Sequence, residues 1–229
     1  MRENKTIIAA MSLAALTLLP SLASAQLYEM RYNGSSFVDG TYHNSRYYAY
    51  VNGQYKRMYV GMLNLKYAEQ GSSDWKALPT YCIQPDQYLN LPNTYHVEEL
   101  ANVVQDADSI ARLWDAKYEA TLPTWDDPNR GLEAAAFQTL VWEYAKDGDF
   151  DLTKGSFRLD MNHSATATVA ALASSWYTEL ANWSGKASLA ALVSPNSQNE
   201  LTVMPAPAGP LLSFVGLAGG AVVLRRRRG

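Results

Sequence analysis

Two residues carry the chemistry that this sequence offers. Cys82 is the single cysteine in 229 residues, and Gln138 is set in the middle of an apolar stretch. A cysteine thiolate held against a glutamine carboxamide can attack its carbonyl carbon, expel ammonia and leave a γ-glutamyl thioester. The reaction needs thiolate character and close alignment. The product is an electrophile that water hydrolyses, so it needs apolar cover; Tyr81, Phe137 and Trp142 stand beside the two residues in sequence to provide it. An amine from a partner, such as a lysine, can later open the thioester, giving an amide and returning the Cys82 thiol. Plainer uses stay open. A lone cysteine can pack as a small buried hydrophobe or form an intermolecular disulfide, since exported cysteines ordinarily come in pairs. Gln138 can bond neighbouring backbone groups and only organise the packing.

The elements that must position this pair differ in kind. The first half of the chain reads as β. Residues 46–51 and 54–60 flank Asn52-Gly53, a type I′ hairpin signal because both central residues take positive φ. Residues 60–67 extend the second strand or start a third, 71–74 form a turn, and 75–83 read as a strand that carries Cys82 and ends near Pro85. The middle reads as helical. Asp106 can cap a helix with Ile110, Leu113, Trp114 and Tyr118 on one face. A loop at 126–129 leads to a second helix over 132–146, stopped by Asp147-Gly148. That helix is apolar on almost every face and is therefore expected to be buried, with Gln138 at its centre. Residues 150–159 read as strand–turn–strand around Lys154-Gly155. Ser164 can cap a third helix with Val169, Leu172, Ala173, Trp176, Leu180 and Trp183 buried. Short strands are expected near 187–193 and 201–203. The fold class is thus α+β, a β-barrel or β-sandwich with an inserted helical portion.

The ends point to export. Arg2 and Lys5, an apolar run over 7–19, Pro20 and Ala23-Ser24-Ala25 have the order of a signal peptide, residues 1–25. At the other end Pro205 and Pro207 precede a 14-residue apolar run, followed by Arg225, Arg226, Arg227 and Arg228. The run is short of the roughly 20 residues that a spanning helix needs, and the arginines can snorkel to make up part of the difference. The basic cluster sets this end on the cytoplasmic side. A single domain over 26–203 is expected between them, with a sorting segment over 204–229.

The whole chain has 19 basic and 22 acidic residues; six basic and one acidic lie in the terminal segments, which leaves the middle at −8. Such a surface repels phosphate backbones, and no nucleic-acid partner is expected. There is no P-loop, Rossmann glycine pattern or metal-ligand cluster, and no cofactor is expected. His43, His96 and His163 are scattered. The 15 tyrosines and six tryptophans suit β-sheet cores and, in part, sugar binding.

These features carry two resemblances. The three-part tail resembles the PEP-CTERM sorting signal of exosortase substrates, in the variant with Ala206 between the prolines. That resemblance implies an exosortase-type sorting enzyme, transient inner-membrane anchoring and then delivery to the cell surface or beyond. Thr80-Tyr81-Cys82-Ile83-Gln84 resembles the aromatic–Cys–aliphatic motif of bacterial thioester domains. Phe137-Gln138-Thr139-Leu140-Val141-Trp142 resembles their second motif, Thr-Gln-X-Ala-aliphatic-Trp, with Phe137 and Leu140 in place of its Thr and Ala. Residues 134–144 and 150–157 are similar to PEP-CTERM proteins carrying Ala-Ala-Phe-Gln-Leu-Ala-Ile-Trp-Glu. Thioester domains imply strands in a barrel or sandwich with inserted helices, a Cys82–Gln138 bond, and covalent attachment to amines or hydroxyls of an extracellular protein or exopolysaccharide. The expectation is a non-enzymatic adhesion or matrix protein. The alternatives are a structural or carbohydrate-binding protein with an inert Cys82, and a cysteine hydrolase or transferase with Cys82 as nucleophile and His96 or His163 as base.

Overall fold

The computed structural model describes residues 26–38, 41, 47–121, 129–183 and 187–203. The segments read as signal peptide and sorting tail, together with His43 and the loop at 126–128, lie outside the described residues. Among those described, no helix is long and apolar enough to cross a membrane.

Alternating large apolar residues build the main sheet. In β1 (Leu27–Phe37), Tyr28, Met30 and Tyr32 fall on one face. β1 pairs antiparallel with β4 (Leu63–Glu69) on one side and β6 (Asn93–Glu99) on the other. The sheet continues through β5 (Lys76–Cys82), β9 (Glu200–Thr202) and β8 (Ala190–Val193), and closes into a six-stranded barrel of order β1-β4-β5-β9-β8-β6. Residues paired across neighbouring strands share a face. Leu63 lies opposite Thr80, Leu65 opposite Leu78, and Cys82 opposite Glu200, which faces Leu192 in turn. This set, with Met30 and Tyr95, points into the barrel. Tyr81 and Leu201, paired on the other face, point out toward the helices. The architecture is therefore mixed α+β and resolves the choice between barrel and sandwich in favour of the barrel.

A second sheet of order β3-β2-β7 is built on the expected hairpin. β2 (Tyr47–Val51) and β3 (Gln54–Met58) meet at Asn52, with φ of 51°, and Gly53, with φ of 77°. The region read as strand–turn–strand gives one strand only, β7 (Phe157–Leu159), paired with β2. The residues before it are turns: Asp147 accepts the N–H groups of Ser156 at 2.7 Å and Phe157 at 2.8 Å, and a carboxylate that consumes these donors removes them from any ladder. Gly155, with φ of 84°, lies against that carboxylate, and a Cβ there would come within 2.7 Å of it.

Among the described residues, three α-helices lie between β6 and β8 in the chain. Asp106 caps α1 (Ala107–Thr121) by accepting the Ser109 N–H at 2.9 Å. α2 (Arg130–Lys146) is buried from Ala134 to Ala145 without a break, because α1, α3, β5 and β7 all pack on it. Ala134, Ala135 and Ala136 let those neighbours approach. α3 (Ser164–Leu180) buries Val169, Ala173, Trp176 and Leu180. Ser164 is its first residue rather than its cap; His163 holds the cap position without a side-chain bond.

Candidate functional site

Cys82 is the last residue of β5, and its backbone explains the site. Thr80 is opposite Leu63, the first residue of β4. The position that would face Cys82 precedes β4, so the Cys82 N–H and C=O on that edge have no strand to pair with. On the other edge the ladder toward β9 continues, with the Ile83 N–H donating to the Asn199 carbonyl at 2.9 Å. Gln138 fills the gap from the middle of α2. Its Oε1 accepts the Cys82 N–H at 3.1 Å, and its Nε2 donates to the Cys82 carbonyl at 2.7 Å. The carboxamide thus acts as a surrogate peptide group at the open edge. A carboxamide only 2 % exposed needs such partners, and this pair fixes its plane beside the cysteine.

The sulfur points to the barrel side. The N–H of Gln84 donates to Cys82 Sγ at 3.2 Å. The buried indole N–H of Trp142, one helical turn beyond Gln138, has no hydrogen-bond partner of good geometry and lies toward the sulfur. Both donors favour the thiolate. Burial opposes them and is the largest effect, and Glu200 acts in the same direction whenever it is ionised; together these push the Cys82 thiol well above its ordinary pKa. The resting sulfur is therefore a thiol.

Cys82, Gln138 and Trp142 line one cavity of about 490 Å³, whose wall is completed by Tyr32 and Phe37 from β1 and by Lys56, Arg57 and Met58 from β3. Tyr59 and Tyr88 stand at the same cavity and are 60 % and 82 % exposed. The buried pair therefore has a route to outside molecules. The segment after β5 is tied down where Asp86, also at the cavity, meets Lys146 of α2 at 2.8 Å.

The residues expected to cover the pair divide. Trp142 lines the cavity. Tyr81 and Phe137 do not; they meet on the helix side of β5 with ring centroids 4.5 Å apart, joined by Trp114 and Tyr118. They form a floor beneath the site rather than a wall around it. Neither His96 nor His163 lines the cavity. His96 bonds Glu98 at 2.6 Å, and His163 stacks on Tyr48 and contacts Tyr55. Among the described residues no group of three or more His, Cys, Asp or Glu side chains is arranged to hold a metal ion.

Sequence reasoning missed Glu200. It is the residue opposite Cys82 across the β5–β9 ladder, fully buried, with no hydrogen-bond partner of good geometry at either oxygen. Burial pushes its pKa well above the ordinary carboxylate range. The one available signal was an acidic residue at the head of a short apolar strand. It also missed β3 as a wall of the cavity.

No protein-family model matches the chain, and comparison with curated proteins finds no similar sequence. Among solved structures the chain is similar to the N-terminal domain of the Streptococcus pyogenes pilus tip adhesin Cpa, at 15 % identity and a TM-score of 0.41, over 76 % of this chain and 98 % of that one.

Proposed function

We propose that this is an exported surface or matrix protein that forms an internal thioester between Cys82 and Gln138 and uses it for covalent coupling. The observation that carries the reading is the clamp. Gln138 is bonded through both ends of its carboxamide to the backbone of the residue that bears the sulfur, and the pair faces an open cavity. Alignment of this kind can supply a large part of the barrier reduction in an intramolecular reaction.

In the reaction, Cys82 Sγ attacks Gln138 Cδ, a C–S bond forms and the C–N bond breaks. The thiol proton leaves with the nitrogen as ammonia. An incoming amine then attacks the same carbon through the cavity, forms an amide and releases the Cys82 thiol. A hydroxyl group gives an ester by the same route. Amine- or hydroxyl-bearing groups of an extracellular protein or exopolysaccharide are the coupling partners in this reading. The terminal segments support export through a signal peptide and sorting by an exosortase-type enzyme, with a transient stay in the inner membrane. The barrel with inserted helices is compatible with the fold that thioester domains imply.

A second reading has one observation in its favour. The same two hydrogen bonds give both ends of the Gln138 carboxamide a partner, and burial holds the Cys82 thiol protonated; an inert structural pair needs nothing more. Intact mass separates the two. Freshly purified protein is expected to weigh one ammonia less than its sequence, and methylamine should convert it to a species one methylene heavier than the sequence, mapped to Gln138. An unmodified mass with no methylamine adduct leaves the inert reading standing alone.

A further inference from the structure

We propose that Glu200 is the proton carrier of the Cys82–Gln138 reaction, an inference that rests on the thioester reading. Glu200 and Cys82 are directly opposed on the inward face of the barrel. Their main-chain pairing leaves them as a non-hydrogen-bonded pair, the closer of the two antiparallel arrangements, with side chains in reach of each other. The carboxyl group is fully buried, and neither oxygen has a partner of good geometry; the Gln198 side chain acts on it and lowers its pKa against the effect of burial. A buried carboxyl without a well-made hydrogen bond costs free energy. A purely structural role would be filled better by an apolar residue in this barrel.

The surroundings leave the group free for the sulfur. The titratable groups that feel it are Cys82 from β5, Tyr95 from β6 and Tyr32 from β1. The Tyr95 hydroxyl is committed to Ser197 Oγ at 2.7 Å. Among the described residues no cation acts on Glu200, so nothing draws it into an ion pair.

Thioester formation needs a proton removed from sulfur and one delivered to nitrogen. A carboxyl group in its protonated form can do both at once. Its carbonyl oxygen accepts the Cys82 proton as Sγ bonds to Gln138 Cδ, and its hydroxyl proton passes to the amide nitrogen as the C–N bond breaks. Ammonia leaves and the acid is regenerated. When an amine later opens the thioester, the acid takes a proton from the attacking nitrogen and returns one to the departing sulfur.

The test compares the purified wild-type chain with E200Q, which keeps the shape and loses the transferable proton, and with E200D. Each is checked for folding by circular dichroism and melting. Each is then assayed by intact mass for the fraction lacking one ammonia, and for the rate of opening by methylamine. General acid–base transfer is worth about 10²–10⁴-fold. E200Q should therefore lose most of the thioester, or open slower by that factor, while folded; E200D should recover part of the rate. If E200Q folds poorly, E200M, which suits an apolar barrel, is read in its place. A folded variant that matches wild type in both assays overturns the proton role and leaves the thioester reading intact. A wild-type chain with unmodified mass overturns both.

Discussion

The clamp on Cys82 makes a quantitative prediction about Gln138→Glu. The measurement is made in a Cys82→Ala background, which removes any cross-link and keeps the backbone groups that Gln138 bonds. The substitution preserves shape and exchanges one NH₂ for an oxygen. In acid the new carboxyl is protonated, and its O–H can donate to the Cys82 carbonyl where the Nε2 donor now sits at 2.7 Å. Near neutral pH an ionised carboxylate would lose that bond, face a carbonyl oxygen and lie at a site only 2 % exposed. The folded protein therefore holds the proton more tightly than the unfolded chain, whose glutamate titrates near about 4.3. For a raised carboxyl pKa the destabilisation begins above the unfolded value and grows by about 1.4 kcal/mol per pH unit until the folded pKa is reached. Near pH 7 this comes to about 3.5 kcal/mol, provided that the folded pKa is at least that high, as buried carboxyls often are.

At about 2–4 °C per kcal/mol for a domain of this size, Q138E should melt roughly 7–14 °C below its Cys82→Ala parent near pH 7. Near pH 4 the difference should shrink to that of a single altered hydrogen bond, about 1 kcal/mol. Calorimetric melts across this range decide the matter. A melting difference that is the same at both pH values, or absent at both, refutes the clamp.

Two further substitutions probe the surroundings of the site. Burial, followed by the nearby Asp147, Asp149 and Asp151, pushes Glu143 up to about 8. The group is raised, so its destabilising effect sets in above the unfolded carboxylate pKa and the protein should lose stability as pH rises toward about 8. Glu143→Gln keeps an acceptor for the Asp151 N–H that Oε1 now binds at 2.9 Å and should flatten that decline, read as Tm against pH; an unchanged slope rejects the assignment. Phe137→Ala empties the floor beneath β5, where the ring is fully buried against Tyr81. It should cost about 3–5 kcal/mol in urea unfolding, and a loss under about 1 kcal/mol would mean that the aromatic cluster does not support the strand.

What was legible in the sequence was local. The Asn52-Gly53 hairpin follows from two residues that tolerate positive φ, and the burial of α2 follows from apolar residues on every face. β1 has the period-two signal in Tyr28, Met30 and Tyr32, but Asn33-Gly34-Ser35-Ser36 interrupts it, and the ladder to β4 is irregular over that stretch. β6 carries His96, Glu98 and Glu99, so neither composition nor alternation marks it; its pairing with β1 and β8 makes it a strand. The Cys82–Gln138 pair was legible from the lone cysteine, the glutamine in an all-round apolar helix and the two motifs that resemble thioester domains. Its geometry was not, because it depends on where β4 begins. The place of Glu200 opposite Cys82 was not legible for a similar reason: it comes from a partner strand far away in sequence.

That starting point of β4 is what sets this glutamine apart from one that merely satisfies a core. The chain arrives from β3 by way of Val60, Gly61 and Met62, and the last of these is held by the N–H of Val38, bonded to the Met62 carbonyl at 2.9 Å, before β4 begins at Leu63. A β4 two residues longer would pair with Cys82 and occupy its free N–H and C=O. Gln138 would then have no backbone to bind, and a buried carboxamide without partners would cost about 1–3 kcal/mol. The short strand exchanges a ladder bond for a side chain and opens the cavity at the same place. Strand length, carboxamide and access to the sulfur are thus one arrangement. A chain that keeps Cys82 and Gln138 but extends β4 across them would keep the residues and lose the site.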